Sequence, residues 1–195
     1  VRRNRWEDPN GNTLVPWLAE SWTRKSDFVW EFKLREGVKF HDGHEMDADD
    51  VAFSLSAERL WGEKPIARRG TRYARGITRV EATGAYKFEI ETSFPDPNMP
   101  YRLVTPIGFV LPKHYYEEVG TDAFGQMPMG TGPYKTTKVV AGESVAMEKN
   151  ADYWKGSPKG SPSIGKIMFR TISDPEAQIA ELLSGSIDWI WDVPK

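Results

Sequence analysis

The run Val29-Trp-Glu-Phe-Lys-Leu-Arg35 alternates strictly between apolar and charged residues. Successive side chains of an extended chain point to opposite faces, so Trp30, Phe32 and Leu34 share one face and Glu31, Lys33 and Arg35 the other. That pattern predicts a half-buried strand with one face on a core. Arg79-Val-Glu-Ala and Ala85-Tyr-Lys-Phe-Glu-Ile-Glu91, separated by Thr83-Gly84, predict an antiparallel hairpin that buries Tyr86, Phe88 and Ile90.

Helices fall between the strands. His41-Asp-Gly-His44 reads as a turn, after which Asp47 caps a helix reaching about Leu60, with Val51, Leu55 and Arg59 stacked and Asp49 and Asp50 suited to the dipole. Pro112 to Val119 predicts a short helix that ends at Gly120. Gly130-Thr-Gly-Pro133 calls for a tight, special backbone, and the proline-studded stretch from Phe94 to Pro112 has no clear period. Tyr134 to Met147 reads as two strands around Ala141-Gly142, Lys155 to Ser163 as a loop, and Lys166 to Ile172 as a strand. Ser173 with Glu176 predicts a capping box for a helix closed by Gly185, and Ile187 to Trp191 a last strand. With no internal repeat and with strands and helices mixed rather than regularly alternating, the fold class is α+β.

Composition narrows the function. The 195 residues carry 26 Lys and Arg against 28 Asp and Glu, a net charge of −2, which provides no global field for nucleic acid or an anionic membrane. No run approaches the ~18 apolar residues of a membrane span, and the opening Val-Arg-Arg-Asn-Arg-Trp lacks the apolar core of a secretion signal. The absence of cysteine excludes disulfides, thiol catalysis and cysteine-ligated metal. Aromatic residues make up 12% of the chain, a supply of stiff amphipathic surface that serves core packing or ligand capture.

Several clusters invite a functional reading. His41, Asp42, His44 and Glu45 combine two imidazoles and two carboxylates, as a metal site or a hydrolase would, but Asp42-Gly43 is also ordinary turn chemistry. No Ser/His/Asp order, paired-carboxylate motif or phosphate loop stands out. Gly130-Thr-Gly could nest an anion or simply carry the chain across a junction. Arg68, Arg69, Arg72 and Arg75, interleaved with Tyr73, form the densest basic patch. Trp189 and Trp191 share a face by period two, and their default role is core packing, with Asp188 and Asp192 on the other side.

Three blocks, in order, carry a resemblance. The first runs from Pro16-Trp-Leu-Ala-Glu-Ser-Trp22 through Trp30 to Gly43 and Asp47-Ala-Asp-Asp-Val-Ala-Phe-Ser-Leu55. The second is Met129-Gly-Thr-Gly-Pro-Tyr-Lys135 with Met147-Glu-Lys-Asn-Ala-Asp-Tyr-Trp154. The third is Ile167 to Ile172 with Leu182-Leu-Ser-Gly-Ser-Ile-Asp188. Together they resemble the family 5 extracellular solute-binding proteins, the peptide/nickel type that serve ABC importers. The resemblance implies an N-terminal fragment of a longer two-lobed protein, with residues 1–140 mainly an extra domain inserted in the first lobe and 141–195 beginning the return into that lobe. It further implies a periplasmic protein, or an extracellular lipoprotein, that is a monomer without cofactor or enzymatic activity. Such a protein captures a short peptide or similar small polar solute and delivers it to permease subunits. By the same resemblance Met127, Met129 and Thr131 edge the ligand pocket, Arg69, Arg72 and Tyr73 reach its mouth, and Trp191 and Asp192 touch the ligand. A hydrolase using His41, His44 and Glu45, or a sensor built on the same domain, are the alternatives.

Overall fold

The computed structural model describes residues 1–3, 13–68, 70–157 and 160–191. Strand β1 (Arg2–Arg3) pairs with β2 (Leu14–Val15) at the entrance to the main sheet. That sheet contains β3 (Ala19–Arg24), β4 (Val29–Leu34), β5 (Ile77–Gly84) and β6 (Lys87–Thr92), in the antiparallel order β3-β4-β6-β5. The alternation of β4 is realised: Phe32 and Leu34 are buried, and Phe32 pairs with Phe88, their rings stacked at 5.0 Å. On the opposite face Glu31, Glu89 and Glu81 stand side by side across three strands. Lys25, 2.7 Å from Glu89, and Arg79, 2.9 Å from Glu91, offset that run of like charge.

Helix α1 (Ala48–Ser54) lies against β5 and β6 and begins as its sequence predicts. Asp47 accepts from the Asp49 and Asp50 amides while Asp50 returns a bond to the Asp47 amide, a capping box. It stops earlier than Leu60. The Ser54 and Leu55 carbonyls are taken by the side chains of Arg59 (3.0 Å) and Trp61 (2.7 Å), and Ala57–Trp61 closes as a π-helical turn. The hairpin also turns later than Thr83-Gly84. Ala85 and Tyr86 give their carbonyls to the Ala48 and Leu34 amides, which draws both out of the ladder.

Two short helices flank the β5–β6 hairpin, α2 (Thr71–Ala74) before β5 and α3 (Met99–Arg102) after β6. Helix α4 (Lys113–Gln126) breaks at Gly120, whose φ of 78° favours glycine, so the first turns end where expected and a second stretch continues beyond. Asp50 reaches across to the Lys113 amide at 2.8 Å and so fixes the start of α4 as well as α1.

A second antiparallel sheet contains β7 (Tyr134–Val140), β8 (Ser144–Lys149) and β9 (Lys166–Arg170), in that order. The position expected to divide the domains, 140/141, falls in the β7–β8 turn. Tyr153 and Trp154 are buried in the first sheet's core, and Trp154 meets Trp17 edge-on at 5.8 Å. Helix α5 (Pro175–Ser184) is capped by Asp174 rather than Ser173, because Pro175 sets its first position. Gly185, at φ 76°, ends it. The predicted strand Ile187–Trp191 does not form, since these residues find no ladder partner among the described residues.

Phe32→Ala is expected to lower unfolding stability by about 3–5 kcal/mol in urea titrations. Leu183→Ala, at an exposed position, is expected to change it by less than about 0.5 kcal/mol.

Candidate functional site

A concave feature lies beside α1 and β4, where a cavity of about 510 Å³ reaches the core residues Leu34, Val51, Leu55 and Phe88. The irregular segment Leu103–Leu111 forms one wall, and Met129 to Gly132 form part of its rim. Met129 and Thr131 are therefore brought together there. Met127 is not: it is exposed beyond the rim, its carbonyl bonded by the Tyr115 hydroxyl at 3.2 Å. Neither Gly130 nor Gly132 adopts the left-handed backbone that would require glycine. Their carbonyls are engaged instead, Gly130 by the His41 amide at 3.0 Å and Gly132 by the Asn150 side chain at 3.2 Å. The anion-nest reading gains no support, since neither glycine takes the left-handed conformation that turns successive amides toward one point.

At the mouth, Arg2 lies 4.8 Å over the ring of Trp17, and both line the cavity. Sequence reasoning passed over this pair and the 103–111 wall, because the wall has no helical or strand period and Arg2 looks like any surface cation.

The basic loop packs behind that wall. Arg72 stacks over Tyr73 at 4.6 Å and donates to its hydroxyl at 2.7 Å. The loop is held from outside: Arg102 donates to the Tyr73 and Arg75 carbonyls, each at 2.6 Å, and pairs with the buried Asp96. Arg69 and Asp192 lie outside the described residues.

The histidine cluster is a structural joint. His41 Nε2 meets the Gly132 carbonyl at 3.0 Å, and Lys135 reaches the His41 carbonyl at 2.8 Å. His44 stacks on His114 at 4.2 Å, and His114 bonds Asp42 at 2.7 Å. Burial works against the Asp42 carboxylate, but the bonds from His114 and the His44 amide hold its pKa below the usual range. Glu45 is occupied by the Tyr86 hydroxyl at 2.6 Å and the Gly37 amide at 2.7 Å. His41, His44 and Glu45 thus serve three separate contacts, and among the described residues no three acidic or imidazole groups converge as a metal requires.

Trp189 and Trp191 do not pack in a core. They are 60% and 87% exposed and meet edge to face at 5.3 Å, because no strand draws them inward.

The site thus combines an apolar cavity, a backbone strap and a held basic loop. Residues 13–195 match the bacterial extracellular solute-binding proteins, family 5, middle region, and the chain belongs to that family. The oligopeptide-binding protein AppA of Bacillus subtilis (strain 168) is 30% identical over 172 residues, 85% of this chain and 30% of that protein. The nickel-binding periplasmic protein of Escherichia coli (strain K12) is 27% identical over 190 residues, 92% of this chain and 33% of that one. The structure of MoaA from A. tumefaciens R10 with mannopinic acid superposes with a TM-score of 0.77 at 33% identity, over 88% of this chain and 34% of that one. The chain spans about a third of the length of these relatives.

Burial of His41 lowers its pKa, with the Gly132 bond opposing only in part. The unfolded chain, with an imidazole pKa of about 6.5, then takes up the proton first as pH falls, and stability is lost below that pH. His41→Gln is expected to remove this component, so the wild type should lose more stability than the variant between pH 7 and 5 in pH-dependent denaturation.

Proposed function

We propose that the chain is part of the solute-capturing component of an ABC importer, taking a short peptide or similar small polar solute and passing it to permease subunits. Residues 1–140 form mainly the inserted domain of such a protein, and 141–195 the return into its first lobe. It works as a monomer in the periplasm, or outside the cell as a lipoprotein, without cofactor, nucleic acid or covalent chemistry. Family membership across residues 13–195 supports capture. The observation that carries the assignment of a ligand-contacting end is the exposed Trp189–Trp191 pair, large aromatic surface that no core among the described residues uses. In this reading Trp191 stacks on the solute and Asp192 receives an amino group or N–H, Met129 and Thr131 edge the pocket, and Arg69, Arg72 and Tyr73 reach the solute from the basic loop.

Trp191→Ala and Asp192→Ala, made in the protein as its gene encodes it, are expected to weaken solute binding more than tenfold, roughly 1.4 kcal/mol, with the melting temperature unchanged. Calorimetry giving wild-type affinity for both variants would defeat the contact assignment. Cell fractionation is expected to recover the protein outside the cytosol, and a cytosolic location would defeat the importer reading.

A further inference from the structure

We propose that the apolar cavity receives a bulky apolar group of a solute that carries a carboxylate beside that group, with Arg2 meeting the carboxylate. This rests on the capture reading above and narrows the class of solute to one with a carboxylate next to a bulky apolar group; a short peptide ending in an apolar residue satisfies it.

Three observations converge. The cavity's volume of about 510 Å³ suits a small ligand, and its depth is walled by Leu34, Val51, Leu55 and Phe88, which favour an apolar occupant over water. Charge complementarity selects the sign of the polar end. Among the described residues that line the cavity, Arg2 is the one charged side chain and no carboxylate is present. The third observation is how Arg2 is held. Its guanidinium rests on the Trp17 ring at 4.8 Å while its backbone pairs with Val15 in the short β1–β2 ladder. A guanidinium held over a ring can still offer its N–H groups to a planar, bidentate acceptor, which a carboxylate provides. None of the ion pairs between described residues includes Arg2.

The test is calorimetric titration of the protein as its gene encodes it with N-acetylphenylalanine, its amide and N-acetylserine. The acid is expected to bind at least tenfold tighter than either control. Arg2→Gln is expected to bring the acid down to the level of the amide while leaving the amide unchanged, and Val110→Trp, which fills the cavity from its wall, to abolish binding of both. Thermal melting checks that each variant folds, and because Arg2 is only partly buried its variant decides the question even if Val110→Trp does not fold. Equal binding of acid and amide by the wild type, or an acid preference that survives Arg2→Gln, overturns the proposal. So does failure of N-acetylphenylalanine to bind, as when the protein's own polypeptide fills the cavity. Trp191 is not in the cavity lining, so Trp191→Ala tests capture separately.

Discussion

The pairing of β4 with β6 is the contact on which the rest of the molecule depends. It joins segments far apart in the sequence, and its register sets Phe32 on Phe88 and Trp30 on Ile90, with Phe32, Phe88 and Ile90 buried. Helix α1 covers this apolar surface, and the turn that leaves β4 carries His41 to the Gly130–Gly132 strap. A slip of one residue would turn Phe32 and Phe88 to water and Glu31 and Glu89 into the core. The second sheet has no comparable buried surface of its own. It is tied in through Tyr153, Trp154 and Asn150, which leave its loop to enter the first sheet's core and strap.

What the sequence made legible follows from how local each signal is. The faces of β4 and β6 and the start of α1 depend on neighbouring residues, and they were readable. The end of α1 was not, because it is set by Arg59 and Trp61 reaching back to carbonyls in place of the next turn's amides. The hairpin turn moved because amides from distant residues claimed the Ala85 and Tyr86 carbonyls. Period two at Ile187–Trp191 described which side chains meet, since Trp189 and Trp191 do touch, but a strand also needs a partner, which a single segment cannot announce.

The site was legible in part for the same reason. Met129 and Thr131 flank an obvious glycine signal, and they reach the cavity. The opposite wall from Leu103 to Leu111 is irregular chain with a single 3₁₀ turn, so nothing periodic marks it. The histidines near residue 41 drew attention as chemistry, yet their partners are a carbonyl, a stacked ring and a turn carboxylate, contacts that only the folded chain brings together.

Arg102 holds the basic loop by its backbone alone, grasping the Tyr73 and Arg75 carbonyls and anchoring itself on Asp96, whose own carbonyl accepts from Trp30 at 2.8 Å. Every residue type offers the same carbonyl, so the clamp is blind to what the loop displays. Position and display are thereby inherited separately: mutations can exchange the outward side chains at 72 or 75 without dislodging the loop, and selection can retune what it presents while the scaffold beneath stays fixed.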